Sequence, residues 1–383
     1  MTQHPSIAII GGGPGGLTLA RVLQLRGVAA TVFEADASHS DRPQGGSLDM
    51  HPESGQFALS VAELMPEFQR VARYEDQETR LYDKAANLLF GDIENAASGD
   101  RPEVDRTELR RLLLDSLTPG VVRWGHKAQS IERHNDDGYE IVFQNGFTEK
   151  FDLVVGADGT WSRVRPLVSP ARPSYCGVTF IELNLDDVDD RHPEIANLVG
   201  HGTMFALADS QGLLAQRNGC ARIRACAALK VPENWASACG IDFSSPEQAR
   251  EKLAALYPGW AQPLVDLIVR CGDNIVPRPL YALPIGHRWE NRPGVTLLGD
   301  AAHVMSPFSG QGANLAMWDA ADLAIAIAEN SDWRQAIRQY EQMMCERAIP
   351  AAQGAADGVA ETFSEQGLAS TIAHMQGHKN VAS

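Results

Sequence analysis

The stretch Gly11-Gly12-Gly13-Pro14-Gly15-Gly16 is the first place where residue types and spacing point to chemistry. It follows an apolar run at 6–10 and leads into a helical pattern carrying Leu17, Ala20, Val22 and Leu23, and it holds GxGxxG at Gly11, Gly13 and Gly16. In that setting the first glycine permits a tight turn, the second lets a pyrophosphate reach the backbone, and the third lets helix and strand pack closely. The free N–H groups and positive dipole end of the helix N-terminus favour phosphate. Pro14 is tolerated because early helical N–H groups have no intrahelical partner. Glu34 ends the next β-branched and aromatic run, 18 residues past Gly16, where a carboxylate accepts hydrogen bonds from a ribose diol. A carboxylate at that point suits FAD or NAD and repels a 2′-phosphate.

Two further stretches share a form, a buried strand that ends in Asp and Gly and then turns. One is Asp152-Leu153-Val154-Val155-Gly156-Ala157-Asp158-Gly159, followed by Ser162 and Arg163. The other is Gly299-Asp300-Ala301-Ala302-His303, continuing through Pro307-Phe308-Ser309-Gly310-Gln311-Gly312-Ala313-Asn314. Their order and spacing after the N-terminal glycines argue for one shared site. Other chemistries find no footing. The six cysteines (Cys176, Cys220, Cys226, Cys239, Cys271, Cys345) form no CxxC pair, which argues against a disulfide frame, a zinc site or a disulfide-reducing flavoenzyme. The eleven histidines show no HExxH or other ligand spacing, and no Ser-His-Asp arrangement is evident. His303 reads as a structural contact rather than as a base.

The elements that must position these residues follow from periodicity. Strand, glycine turn, helix and second strand over residues 6–33 make a βαβ unit, the start of a parallel sheet with helices on its faces. Runs at 151–155 and 295–298 predict further buried strands, and 106–117 a helix. Between 177 and 230 the period changes to two: Val178, Phe180, Glu182 and Asn184 alternate with Thr179, Ile181, Leu183 and Leu185, and similar runs cover 203–208, 213–217 and 222–229. That predicts half-buried strands of an antiparallel sheet. Residues 331–363 read as helical, with interruptions expected at Pro350 and Gly354. The expected fold class is therefore α/β: a discontinuous Rossmann-like cofactor domain (1–72, 96–175 and 272–328), an inserted β-sheet substrate domain (73–95 and 176–271) and a C-terminal helical segment (329–383). Ligands in such folds sit at strand ends and between domains.

With 33 Lys+Arg against 49 Asp+Glu the formal net charge is −16, and no basic run offsets it. Nucleic acid and anionic membrane surfaces are poor partners for such a chain. No apolar stretch reaches the ~18 residues of a spanning helix, and the N-terminal residues lack the basic and cleavage-site features of a signal peptide. A cytoplasmic monomer is the expectation.

On these residues the chain resembles the class A flavoprotein monooxygenases, the FAD-dependent aromatic hydroxylases. GxGxxG, the DG stretch and the GD stretch are that family's three motifs, and here they span residues 11–314. Within the family it is most similar to the tetracycline-inactivating monooxygenases, through residues 45–56, 101–117 and 299–320. The resemblance implies that Gly11, Gly13, Gly16 and Glu34 hold the ADP half of FAD, with Asp158 in the DG motif contributing to cofactor binding. It implies that Asp49 and Arg106 sit at flavin-binding positions and that Asp300 binds the ribityl and pyrophosphate part. The loop carrying Pro307, Gly310 and Gly312 lies beside the isoalloxazine, and Phe308 faces the substrate. Arg42 matches a position implicated in NADPH contact. An arginine at 42 or 106 is useful to an acidic chain that must attract a polyphosphate. The alternatives are a solvated loop charge for Arg42 and a pair with Asp105 or Glu103 for Arg106. By the resemblance, NADPH reduces the flavin, O2 adds to form a C4a-hydroperoxide, and oxygen passes to an electron-rich carbon of a planar phenolic or enolic substrate. The protein's part is binding, orientation and exclusion of water.

The substrate side carries fewer signals. Arg222, Arg224, Cys226 and Ala228 share one strand face, and Ile223, Ala225, Ala227 and Leu229 share the other. The apolar face is expected to pack on helices around 246–271, and the arginine face to look toward the flavin cleft, with Arg224 binding an acidic substrate. The alternative for Arg224 is a solvated strand face. The tetracycline enzymes carry a His near Arg224, and Gln and Arg at positions that fall near Leu183 and Thr203, so this chain departs from their substrate pattern. A hydroxylase of a simpler aromatic compound and a flavoprotein sensor without turnover are the rival functions. The sensor is disfavoured because the loops at Gly45-Gly46 and 307–312 are intact.

Overall fold

The computed structural model describes residues 4–39, 41, 45–91, 99–134 and 138–382. Arg42 lies outside the described residues. The glycine turn joins the strand Ile7–Ile10 to the helix Pro14–Leu25, which leads back to the strand Ala30–Phe33. These strands pair in parallel, Ile7 with Ala30 through Ile10 with Phe33. On the other side Ile7–Ile10 pairs in parallel with Leu153–Gly156, which in turn pairs with Val295–Leu297. Val122–Arg123 completes a five-stranded parallel sheet at the Ala30–Phe33 edge. Every residue of Ile7–Ile10, Leu153–Gly156 and Val295–Leu297 is buried, as expected of strands covered on both faces. The helices Pro14–Leu25 and Gly312–Glu329 pack together on this sheet.

The apolar run at 151–155 is two elements rather than one strand. Thr148–Phe151 belongs to a three-stranded antiparallel sheet with Ala128–His134 and Gly138–Phe143, whereas Leu153–Gly156 enters the parallel sheet. Asp152 makes the break: its carboxylate accepts from the Ser6 N–H and hydroxyl, both at 2.7 Å.

The alternating segment forms a seven-stranded sheet in the order Val276–Ala282, Ser174–Leu185, Arg222–Lys230, Gln211–Asn218, Gly202–Ala208, Glu78–Tyr82, Leu88–Gly91. The pairings are antiparallel except that of Gly202–Ala208 with Glu78–Tyr82. One face carries Ile181, Leu183, Leu185, Ile223, Ala225, Ala227 and Leu229 and packs on the helices Pro246–Ala254 and Gln262–Val269 in a second core. Val276–Ala282 lies past the expected boundary at 272 yet belongs to this sheet. Its Pro277 and Pro279 lack N–H groups, and the strand sits at an edge, where proline is tolerated.

The expected interruptions in the C-terminal segment do not occur. Trp333–Thr362 is one helix with Pro350 inside it, followed by Gly367–Ala382. Pro350 and Gly354 both lie on the exposed side, while Tyr340, Met344, Ala348, Ala351 and Ala355 are buried on the other. Water can satisfy the carbonyl that the proline frees, and packing of the opposite face sustains the helix.

Candidate functional site

The site is assembled at the carboxyl ends of the parallel strands. Gly11 has φ +111, and a Cβ there would lie 2.3 Å from the Ala157 carbonyl oxygen; at Gly16 it would lie 2.1 Å from the Gly11 oxygen. These two positions therefore serve the turn and the helix–strand approach. Gly13, the N-cap of the helix, differs: a Cβ there meets nothing within 4 Å. Open space lies in front of the helix N-terminus, where the dipole favours an anion. Glu34 is buried beside it, accepting from the Gly12 N–H at 2.6 Å and the Asp36 N–H at 2.9 Å.

Two buried polar atoms around this space have no partner in the protein. Asp158 uses Oδ2 to accept from the Arg163 N–H at 2.6 Å, but its Oδ1 is unsatisfied. Burial pushes the Asp158 carboxyl up. Arg110 donates from Nε to the Gly12 carbonyl at 3.3 Å and from Nη2 to Asp36 at 3.3 Å, and its Nη1 is unsatisfied. Unpaired buried donors and acceptors are costly. An acceptor, a donor and the open space at Gly13 together fit the hydroxyls and phosphates of a dinucleotide. Arg110 was not singled out above; the signal for it is its i, i+4 relation to Arg106 on the helix Arg106–Asp115.

Arg106 and Asp300 face each other further along. Both side chains keep solvent-accessible surface, and each feels the charge of the other. Burial pulls the Arg106 guanidinium down against the opposing fields of Asp300 and Glu182, and pushes the Asp300 carboxyl up against His303, Arg106 and Arg165. The alternative pairing of Arg106 does not form: Asp105 takes Arg73 at 2.8 Å and Arg222 at 2.9 Å, and Glu103 takes Ser47 and Gln216. Arg165, also missed from sequence, ties the DG and GD motifs together by donating to the carbonyls of Ala301 and Thr160, both at 2.7 Å. Such a bridge joins residues far apart in the chain and has no spacing signature.

The turn Pro307–Ser309 and Gly310, at φ +66, lie against Asp49, whose Oδ1 is 3.6 Å from a Cβ built on Gly310; Gly312 approaches Asp300 similarly at 4.0 Å. Asn314, fully buried, fixes this approach. Its amide donates to the Asp49 carbonyl at 2.8 Å, and its oxygen accepts from the His51 N–H at 3.0 Å. Asp49, Asp300, Gly310 and Gly312 thus border one cleft. His303 is buried against Asp319, and its Nδ1 has no partner among the described residues. Burial opposes its charge, but Asp319, at 2.6 Å from Nε2, overcomes that and holds the imidazole above its ordinary value; Arg347 pairs with Asp319 at 2.8 Å from the other side.

Across the cleft stands the second face of the seven-stranded sheet, with Phe180, Glu182, Asn184, Leu214, Gln216, Arg224 and Cys226. Phe308 meets Phe180 with ring centroids 5.9 Å apart. Glu182 pairs with Arg278 at 3.2 Å. Arg224 is on this face, but its guanidinium is drawn to the exposed Asp186 at 3.0 Å. A clasp of charged groups joins sheet and cofactor domain: Arg73 bridges Asp76, Asp105 and Ser47 at 2.7, 2.8 and 3.0 Å. Gln216 spans from the Ser47 N–H at 3.0 Å to Glu103 at 3.2 Å. Burial, reinforced by Asp49, pushes Glu103 up to about 7 against the hydrogen bond from Ser47. Among the described residues no group of His, Cys, Asp or Glu could hold a metal ion, and no helix is long and apolar enough to cross a membrane.

Comparison with known proteins agrees with this geometry. The FAD binding domain family model matches residues 5–204 and 287–353. A 3-amino-4-hydroxybenzoate 2-monooxygenase from Streptomyces platensis is 30% identical over 361 residues, covering 90% of this chain and 85% of the relative. Among solved structures, the Klebsiella pneumoniae protein HpxO in complex with FAD and uric acid superposes with a TM-score of 0.79 at 23% identity, covering 98% of this chain and 92% of that one. The tetracycline destructase Tet(55) does so with a TM-score of 0.69 at 22% identity, covering 92% and 88%. With its three motifs gathered at the ends of the parallel strands, the chain belongs to the FAD binding domain family and is an FAD-dependent monooxygenase of class A.

Proposed function

We propose that this enzyme hydroxylates a planar phenolic or enolic substrate of tetracycline-like form, using NADPH and O2, and works as a cytoplasmic monomer. The observation that carries the reading is the convergence of the three motifs, with Arg106 and Asp300 on one side and a half-apolar sheet face on the other. Bound FAD supplies electron transfer and oxygen activation. In this reading Gly13 and Arg110 receive the phosphates, and Glu34, Asp158 and Asp300 accept hydroxyls. Asp49, Arg106, Pro307, Gly310 and Gly312 frame the ring system. Phe180, Phe308 and Leu214 exclude water and flank a planar molecule. Glu182, steadied by Arg278, is the acceptor for a substrate hydroxyl, and Arg224 is the donor for an anionic one. Arg42 steers NADPH, because the one glycine fingerprint and Glu34 are committed to FAD.

The likeness in fold to a tetracycline destructase supports a multi-ring substrate. The 3-amino-4-hydroxybenzoate 2-monooxygenase relative favours a second reading, hydroxylation of a single-ring aminophenol or hydroxybenzoate. The test is a screen for substrate-stimulated NADPH oxidation with mass analysis of products. A compound that speeds oxidation and gains one oxygen atom is the expected result. Oxidation unresponsive to every phenol and enol tested, with FAD bound, would overturn both readings.

A further inference from the structure

The sheet face that roofs the flavin cleft continues into a second chamber. Along Ser174–Leu185 the cleft-facing side chains step from Asn184 through Glu182 and Phe180 to Val178, opposite Arg224, Cys226, Ala228 and Lys230 of the neighbouring strand. Glu182 and Cys226 face the flavin cleft. At Phe180 and Ala228 an aromatic partition crosses the face: Phe180 packs edge-on against Phe308 at 5.9 Å, and Phe308 against Phe363 at 5.6 Å. Beyond it lies a cavity of about 400 Å3, within the roughly 300–1,000 Å3 range of small-molecule sites. Val178, Leu283 and Met305 form its walls, and Trp333–Thr362 presents Ala356 and Val359, whose small side chains leave the space open. Lys230, an exposed residue, is the one Lys, Arg, Asp or Glu in this lining. Its ammonium donates to the Phe363 carbonyl at 3.2 Å and has two further N–H groups to offer.

We propose that this chamber binds a small amphiphile, an apolar ring or short chain ending in a carboxylate or sulfonate that seats on Lys230. An apolar lining with a single cation selects that chemistry: the body of the ligand is driven in by burial, and its charge is fixed by a charge-assisted hydrogen bond. The site is coupled to the flavin cleft. An anion on Lys230 shares that ammonium with the Phe363 carbonyl, and Phe363 packs on Phe308, in the turn beside Asp49 and Asp300. The proposal does not depend on the identity of the hydroxylated substrate.

The experiment uses anilinonaphthalene sulfonate titrated into FAD-loaded enzyme, followed by probe fluorescence. Saturable one-to-one binding is expected, with flavin emission shifting as the probe binds. Ala356→Trp, which fills the chamber, is expected to abolish binding. Lys230→Met is expected to weaken it by roughly two- to fivefold, the upper range for an exposed charge pair. FAD stoichiometry and unfolding midpoint verify that each variant is folded; should Ala356→Trp fail them, Val359→Phe replaces it as the filling variant. Unchanged probe affinity in a folded filling variant, or in Lys230→Met, would overturn the proposal. Because the readout is probe binding without turnover, its failure is separate from failure to find a hydroxylated substrate.

Discussion

Alanine substitution at Gly13 and at Gly16 separates cofactor binding from folding, although both belong to one fingerprint. In Gly16→Ala the new methyl lands 2.1 Å from the Gly11 carbonyl oxygen, where real Cβ contacts do not fall below 3.0 Å. The helix Pro14–Leu25 must move about 1 Å away from the first strand, and backbone faces backbone, so no side chain can yield. Overpacking of this kind costs about 3 kcal/mol, the upper end of the usual range. For a chain of 383 residues, at roughly 1–2 °C per kcal/mol, the midpoint of the FAD-free protein falls by roughly 3–6 °C. Gly13→Ala meets no protein atom within 4 Å, and the backbone there (φ −79, ψ 178) suits any residue. FAD-free stability therefore stays within about 0.5 kcal/mol of wild type. Its methyl instead occupies the space in front of the helix N-terminus. Loss of one charge-assisted hydrogen bond to the pyrophosphate, about 1.5–3 kcal/mol, raises the FAD Kd roughly 10- to 150-fold. Thermal unfolding of the stripped proteins and flavin fluorescence titration measure the two quantities. The reasoning is refuted if Gly13→Ala is destabilised as much as Gly16→Ala, or if it binds FAD like wild type.

Asp300→Ala removes an acceptor at the end of the third motif's strand and is expected to raise the FAD Kd roughly five- to 150-fold; an unchanged titration would take Asp300 out of the site. Glu103 is raised from 4.5 to about 7. Below pH 4.5 its carboxyl is neutral in folded and unfolded chains alike, and its full contribution is present; as pH rises through 7 about 3 kcal/mol is lost, because the unfolded chain ionises first. Glu103→Gln should flatten denaturant-measured stability across that window, and parallel wild-type and mutant pH curves would contradict the account. Arg224 must leave an exposed pair with Asp186, worth about 0–1 kcal/mol, to reach an anion. Arg224→Ala is therefore expected to weaken an anionic substrate by roughly 1–2 kcal/mol while sparing a neutral analogue; equal effects on both would show that the guanidinium does not read charge.

What local sequence encodes, it encoded legibly. Gly11, Gly13 and Gly16 have three distinct physical surroundings that their spacing anticipates, and the alternation at 178–185 sorts side chains onto the faces they occupy. Asp152, one polar residue in an apolar run, was enough to divide a strand through two hydrogen bonds to Ser6. Pro350 misled because its helix is sustained by distant packing of the opposite face. The clasp through Arg73, Glu103, Asp105 and Gln216 could not be read, since ion pairs between distant segments leave no periodic trace. Arg224 shows a related limit: strand period places a side chain on a face, but the nearest counter-charge decides where its guanidinium goes.

The parallel sheet has a consequence for how the enzyme is made. Its strands are drawn from Ile7–Ile10, Leu153–Gly156 and Val295–Leu297, so a ribosome delivers the first and last of them roughly 15–60 s apart at about 5–20 residues per second. Every strand of the seven-stranded sheet leaves the ribosome before Val295 does. Asp300 and Asn314 come later still. The nascent chain thus carries a finished roof over an unfinished floor, and the flavin pocket exists only once Asn314 has emerged. Cofactor capture is then a late event in biosynthesis.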